Sequence, residues 1–246
     1  MEKAALAEGL HDALAIKLGQ FKALDPEEVS VVLAMQRNRQ RHGPHQVLVR
    51  AGQRFRPVMI VRDGWACVCK TVPGGRRQII DFLVPGDVFG LGSGLLRKMD
   101  RDLVTVTEVE VAEISFQMLA ATFRQWSRIA SAMRWALARQ AAIVQEHVVD
   151  IGQRSAPVRA AHLLLELGAR VELVRRGTEA GFACPLTQHD LADALGLTAI
   201  HVNRTLRVLR ERGLVAFQNG QVEFLDHAGL ARFARFDRSY LDHLPA

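Results

Sequence analysis

The chain has 246 residues, 49% hydrophobic and 24% charged, with a formal net charge of +6 at pH 7. This is the composition of an ordinary globular protein with room for one large or two small domains. No run approaches the roughly 18 uninterrupted apolar residues of a membrane span. Acids at Glu2, Glu8 and Asp12 break up the start, where a secretory signal carries an unbroken apolar stretch. Three cysteines, Cys67, Cys69 and Cys184, make no disulfide framework, so a reducing cytoplasm is expected.

Residues 1–35 read as helical, with Leu10, Leu14, Leu18 and Phe21 at three- to four-residue spacing. Asp25-Pro26-Glu27-Glu28 reads as the start of a further helix, with proline at the first helical position and acids in the first turn. Over residues 36–115 the period changes. Strands are expected at Val47–Arg50, Met59–Arg62, Trp65–Thr71, Gln78–Val84 and Leu103–Ile114, separated by turn residues such as Asp63-Gly64, Pro73-Gly74-Gly75, Pro85-Gly86-Asp87 and the glycines at 90, 92 and 94. Regular strands with glycine turns predict a sandwich or barrel. His42 and His45 fall in a loop-like stretch without acidic or cysteine companions, so no metal site is expected. Arg76-Arg77 reads as a solvated hairpin tip. Residues 116–151 return to helix, and Ile129, Met133, Ala136, Gln140, Ile143 and His147 form a heptad-like seam. That seam predicts self-association, with Gly152 ending the helix. Pro157 opens another helix over Val158–Val174, and residues 175–185 read as a polar loop.

The most informative segment follows. Thr187 is placed to cap a short helix, with Asp190 three residues on as its capping-box partner. Leu191 and Leu195 are its buried positions, and Gly196 suits a left-handed turn. Thr198 caps a second helix, which buries Val202, Leu206 and Leu209 and turns His201, Arg204 and Arg207 outward. Two helices joined by a short glycine turn are a helix-turn-helix, whose second helix enters the DNA major groove. Asn219-Gly220 between two alternating runs predicts a hairpin, hence a wing. The basic charge is concentrated locally. Residues 1–153 carry 20 basic and 16 acidic side chains, and residues 154–246 carry 12 and 10. Within Thr198–Arg212, however, Arg204, Arg207, Arg210 and Arg212 face Glu211 alone.

Over roughly residues 20–226 the chain resembles the Crp/Fnr family of bacterial transcription regulators. The resemblance rests on Val49-Arg50-Ala51-Gly52, Asp63-Gly64, Gly74-Gly75-Arg76-Arg77-Gln78, Pro85-Gly86-Asp87-Val88-Phe89-Gly90, and Leu195-Gly-Leu-Thr with Val202-Asn-Arg-Thr-Leu206. It implies an α+β fold with N-terminal helices (1–35), a jelly-roll-like β-roll sensor domain (36–115), a long dimerisation helix (116–151) and a C-terminal winged helix-turn-helix (154–246). It also implies a cytoplasmic, non-enzymatic homodimer that binds palindromic double-stranded DNA, with RNA polymerase as a further partner. The DNA contacts expected are Thr187, Thr198, His201, Asn203, Arg204, Arg207 and Arg210. An effector pocket is expected around Phe89, Gly90, Leu91 and Gln140.

Several residues depart from the family pattern. Leu91 stands where nucleotide-binding members carry a glutamate for the ribose. Met99 and Asp100 occupy the place of the phosphate-clamping Arg-Ser pair, and the nearby Arg101 is followed by Asp102. No cysteine precedes Cys67, which argues against the family's iron–sulfur mode, and no cofactor is expected. Ile200 replaces the glutamate found two residues after the cap in many members. Two alternatives stay open: a C-terminal domain that binds protein rather than DNA, and a cyclic-nucleotide-responsive regulator.

Overall fold

A computed structural model of the chain describes residues 11–54, 57–92 and 98–242. Leu10 and Gly94 lie outside the described residues. The chain forms two compact units. The first comprises residues up to Cys69 together with Phe82–Ala141; the second comprises Lys70–Asp81 and Ala142–Leu241.

In the first unit, α1 (Ala13–Gly19) is capped by Asp12, whose carboxylate accepts from the Ala15 amide at 2.9 Å. Helix α2 (Pro26–Met35) starts on the expected capping box between Asp25 and Glu28, with Pro26 in its first turn. Eight strands follow: β1 (Arg39–His42), β2 (Val47–Val49), β3 (Val58–Asp63), β4 (Ala66–Thr71), β5 (Arg77–Leu83, counted with the second unit up to Asp81), β6 (Val88–Phe89), β7 (Asp102–Thr105) and β8 (Val109–Ile114). They make antiparallel sheets in the orders β1-β8-β3-β6 and β2-β7-β4-β5, a β-roll. Leu14, Leu18 and Val32 share a core with Ile60, Ile114 and Met133.

Three expectations need correction here. The segment Leu103–Ile114 is two strands, β7 and β8, turning at residues 106–108. The stretch holding His42 is partly strand β1, which pairs along β8 from Arg39↔Ala112 to His42↔Val109. Its exposed, arginine-rich character disguises it as loop, and charge of that kind is how natural sheets protect an edge. The helix over 116–151 is broken. Helix α3 (Phe116–Gln125) stops at Trp126, which leaves helical geometry at φ −121°, and α4 (Ser127–Gln153) then runs on through Gly152. An exposed glycine lowers helix stability by only about 1 kcal/mol relative to alanine, too little to end a helix that is packed elsewhere.

The predicted seam on α4 also faces the wrong way for self-association. Ile129, Met133 and Ile143 are fully buried in the chain's own core. The stripe one residue further along, Leu137, Ala141, Val144, Val148 and Ile151, steps by the same 4 and 3 and is the one left open. Val148 is 67% exposed, and Ile151 44%.

The second unit is built on α5 (Ala156–Leu173), buried on most of its circumference. Gly168 lies where a Cβ would come within 2.9 Å of the Phe224 ring, so only glycine permits that close approach. The unit is also held by an ionic node. Arg170 Nη1 donates to Asp81 Oδ1 at 2.9 Å and to Glu166 Oε1 at 3.0 Å. Tyr240 donates its hydroxyl to Glu166 Oε2 at 2.9 Å. His147 Nδ1 lies 2.8 Å from the Ile80 carbonyl, and Nε2 lies 3.1 Å from Glu166 Oε2. Both ring nitrogens face atoms that can only accept, so the ring is an imidazolium donating twice. Burial by itself lowers the His147 pKa, but the Glu166 charge and hydrogen bond outweigh it and carry it to about 9. Burial likewise raises the Glu166 carboxyl, and His147 and Arg170 reverse this to hold it well below the usual carboxylate range.

Replacing Arg170 by Met leaves Asp81 and Glu166 buried without their counter-charge, and should cost about 3–5 kcal/mol in chemical denaturation. His147 makes the stability of the node depend on pH. Its folded pKa, about 9, lies above the ordinary 6.5. Its contribution is therefore complete below that ordinary value and is lost as pH rises through the folded one. The Glu166 contribution has the opposite sense and is lost only in acid, below the ordinary carboxylate range. Thermal melts of the wild type should fall in midpoint from pH 6.5 to pH 9, and His147→Gln should remove that component of the fall.

Candidate nucleic-acid interface

Residues 175–185, read as a loop from sequence, carry two short strands, β9 (Gly177–Thr178) and β10 (Gly181–Ala183). They join β11 (Val215–Gln218) and β12 (Gln221–Phe224) in a sheet of order β11-β12-β10-β9. Their brevity hid them, since two or three residues give no readable alternation.

Helix α6 (Gln188–Leu195) opens on a complete capping box. Thr187 Oγ1 accepts from the Asp190 amide at 3.1 Å, and Asp190 Oδ2 accepts from the Thr187 amide at 3.0 Å. Gly196 ends the helix at φ 63°, the left-handed cap that costs glycine least. Helix α7 (Ala199–Glu211) starts on Thr198, whose hydroxyl accepts from the His201 amide at 3.2 Å. Val202, Thr205 and Leu209 form its buried face, so Thr205 shares the role expected of Leu206, which is only half-buried. The wing is β11 (Val215–Gln218) and β12 (Gln221–Phe224), joined by Asn219 and Gly220 at φ 51° and 71°. Positive φ at both positions makes the turn that matches strand twist.

The open face of α7 carries Ile200, Asn203, Arg204 and Arg207, which fall within about 100° of arc at 3.6 residues per turn; all four are exposed. His201 sits on one flank of this stripe and Arg210 on the other, both exposed. Arg207 pairs loosely with Glu211 at 3.7 Å, both well in solvent. Arg212 departs from the expected basic face, because its guanidinium lies 5.1 Å from the Phe233 ring centroid on α8 (His227–Ala234). Thr187 and Thr198 are exposed at the two helix starts, where unpaired backbone N–H groups attract anions.

The role of Arg77 is not legible in the sequence. Arg76 is exposed as expected of a hairpin tip, but Arg77 donates from Nη2 to Asp190 Oδ1 at 3.0 Å and from Nε to Asp193 Oδ2 at 2.8 Å. Gln78 adds a bond to the Ala194 carbonyl at 3.1 Å. The hairpin thus holds α6 and neutralises its two acids. Partners more than a hundred residues away leave no local signal.

The expected effector residues fall in the first unit. Phe89 is buried on β6, Gly90 has φ 86°, Leu91 packs half-buried on the roll core, and Gln140 stands half-buried on α4. The Arg101 guanidinium lies 6.0 Å from the Phe89 ring centroid, and Asp100 pairs with it at 3.5 Å. Asp102 accepts from the Ala51 amide at 2.6 Å, a structural use for the acid beside Arg101. Cys67 and Cys69 are buried on β4, as is Val68 between them. Burial pushes the Cys184 thiol up to about 12, which makes it unreactive. Among the described residues no cluster of three or more His, Cys, Asp or Glu is arranged to hold a metal, and no helix is long and apolar enough to cross a membrane.

Comparison with known proteins agrees with this geometry. The Crp-like helix-turn-helix domain matches residues 158–233, and the cyclic nucleotide-binding domain matches residues 39–125. The nitrogen fixation regulation protein FixK of Azorhizobium caulinodans is 30% identical over 177 residues, which cover 71% of this chain and 70% of that protein. The transcriptional activatory protein AadR of Rhodopseudomonas palustris is 29% identical, covering 76% and 77%. The solved structure of FixK2 from Bradyrhizobium japonicum superposes with a TM-score of 0.70 over 85% of this chain and 98% of that one, at 24% identity, and so shares the fold. With its β-roll, long helix and winged helix-turn-helix in this order, the chain belongs to the Crp/Fnr family of transcription regulators.

Proposed function

We propose that the protein is a homodimeric regulator that reads a two-fold symmetric operator through α7. The observation that carries this reading is the exposed stripe holding Asn203, Arg204 and Arg207 on a helix capped and turned by Thr198 and Gly196. Arginine facing guanine is the commonest specific base contact, and Asn203 lies beside it to take a second base edge. Thr187, Thr198, Arg207 and Arg210 are assigned to phosphate, with His201 on the flank of the base-reading stripe. Cytoplasmic residence and RNA polymerase contact follow from the same assignment, as do the domain limits at 1–35, 36–115, 116–151 and 154–246.

Dimerisation is assigned to α4, through the outward stripe of Leu137, Ala141, Val144, Val148 and Ile151. The stripe spans about 21 Å at 1.5 Å per residue. Val148 and Ile151, exposed in the single chain, are the side chains a second copy would cover. A symmetric dimer presents two recognition helices to half-sites about one DNA turn apart. The roll is assigned as a sensor for a small-molecule effector near Phe89, Gly90, Leu91 and Gln140. The standard cyclic-nucleotide mode is not proposed, because Leu91 cannot hold a ribose hydroxyl and Asp100 already pairs with Arg101.

Selection of preferred duplexes from a random library, with and without metabolite extract, tests the reading. A palindromic motif is expected, and a shift with extract would reveal effector control. Arg204→Ala should lose about 1–3 kcal/mol at one base position per half-site and relax its footprint. An unchanged footprint would remove Arg204 from the interface. Val148→Glu should convert the dimer to monomer in light scattering and weaken operator binding at least tenfold, and a persisting dimer would place the interface elsewhere.

A further inference from the structure

We infer that Ile200 is a base-reading residue that recognises the 5-methyl group of a thymine. This deepens the DNA-reading assignment above and rests on it. At 70% exposure, Ile200 is the most exposed of the large apolar side chains among the described residues. Nothing in the folding of α7 calls for it. The cap is made by Thr198 with the His201 amide, and the buried face by Val202, Thr205 and Leu209. A β-branched residue in an exposed first turn gives up helix propensity and leaves an aliphatic group in water. Its position supplies the reason. Ile200 is the second residue of α7, in the N-terminal turn that meets base edges when a recognition helix enters the major groove. Asn203 and Arg204 are its i+3 and i+4 neighbours, so their Cβ atoms lie about 5–6 Å away on the same face.

Isoleucine offers no donor or acceptor. Placed against a guanine oxygen or a cytosine amino group, it would strip water from a polar edge and return no hydrogen bond. The one apolar feature of the major groove is the thymine methyl. Ile200 therefore selects thymine, and its spacing from Arg204 places that thymine one or two base pairs from the guanine Arg204 reads, given about 3.4 Å per step. The operator differs on this account from sites read through a carboxylate at the same helix position, because a carboxylate accepts from cytosine and a sec-butyl group cannot.

The test uses the full-length protein and the duplex recovered by library selection. Each thymine of a half-site is replaced in turn by deoxyuridine, which lacks only the methyl group. Affinity is measured at fixed salt for the wild type, Ile200→Val and Ile200→Ala. At one thymine per half-site, the wild type should lose about three- to five-fold on methyl removal, the value of one buried methylene-sized group. Ile200→Val should keep part of that loss, and Ile200→Ala should bind both duplexes equally. Specific binding with no methyl-dependent position, or the same dependence in wild type and Ile200→Ala, overturns the inference and leaves the DNA-reading assignment standing. Ile200→Ala that alters the oligomeric state without changing methyl dependence also overturns it, by making the side chain a protein contact. Absence of any sequence-specific binding by the wild type removes the DNA-reading assignment itself, and the inference with it.

Discussion

The buried Glu166 carboxylate organises the second unit. Three donors converge on it: the imidazolium of His147 on α4, the Arg170 guanidinium on α5 and the Tyr240 hydroxyl near the end of the described chain, while Arg170 also donates to Asp81 on β5. A carboxylate this deep is strongly destabilising without partners, and each partner comes from a different part of the sequence. The node therefore acts as a registration point. It fixes where the long helix, the α5 scaffold, the C-terminal segment and the β4–β5 hairpin stand relative to one another within that unit. A hydrophobic cluster of the same size would fix them less uniquely, since apolar surfaces slide and hydrogen bonds do not.

Helix α4 shows why one kind of information is legible and another is not. Two stripes of period 3.5 run along it, offset by a single residue, or about 100° of rotation. Sequence periodicity identifies both equally well. Which stripe meets the chain's own core depends on where the roll presents Val58, Ile60 and Ile114, and no window of the helix contains that information. The inner stripe includes larger side chains, Ile129 and Met133, and so looks like the stronger seam. The outer one is weaker in size but open to solvent, the condition an interface requires.

The winged helix-turn-helix was legible almost residue by residue, because its determinants are local. A capping box three residues wide, a left-handed glycine, a capping threonine and an Asn-Gly turn each act over a few positions. The strands of both units were legible where they alternate and lost where they are short or charged, as in β1 and β6 of the roll and β9 and β10 of the wing sheet. Arg77 reads as solvated because it sits at a hairpin tip, and the acids it pairs with, Asp190 and Asp193, lie far away in sequence on α6. The candidate stripe on α7 could be placed from the spacing of Val202 and Leu209, but the exposure of Ile200 could only be seen once the helix had docked.

Asp190 joins these two scales. Its Oδ2 closes the capping box on Thr187, a local task, while its Oδ1 receives Arg77 from the hairpin, a tertiary one. A single carboxylate thus sets both where α6 begins and what holds it. Asparagine could retain the cap through its one carbonyl oxygen, but its amide nitrogen would then meet the guanidinium donor to donor. Glutamate could supply two oxygens but would carry them one methylene further from the helix start. Aspartate at this position is what lets the first helix be defined by its own sequence and still be gripped from outside it, and α7 inherits its placement from both constraints through the three-residue turn at 196–198.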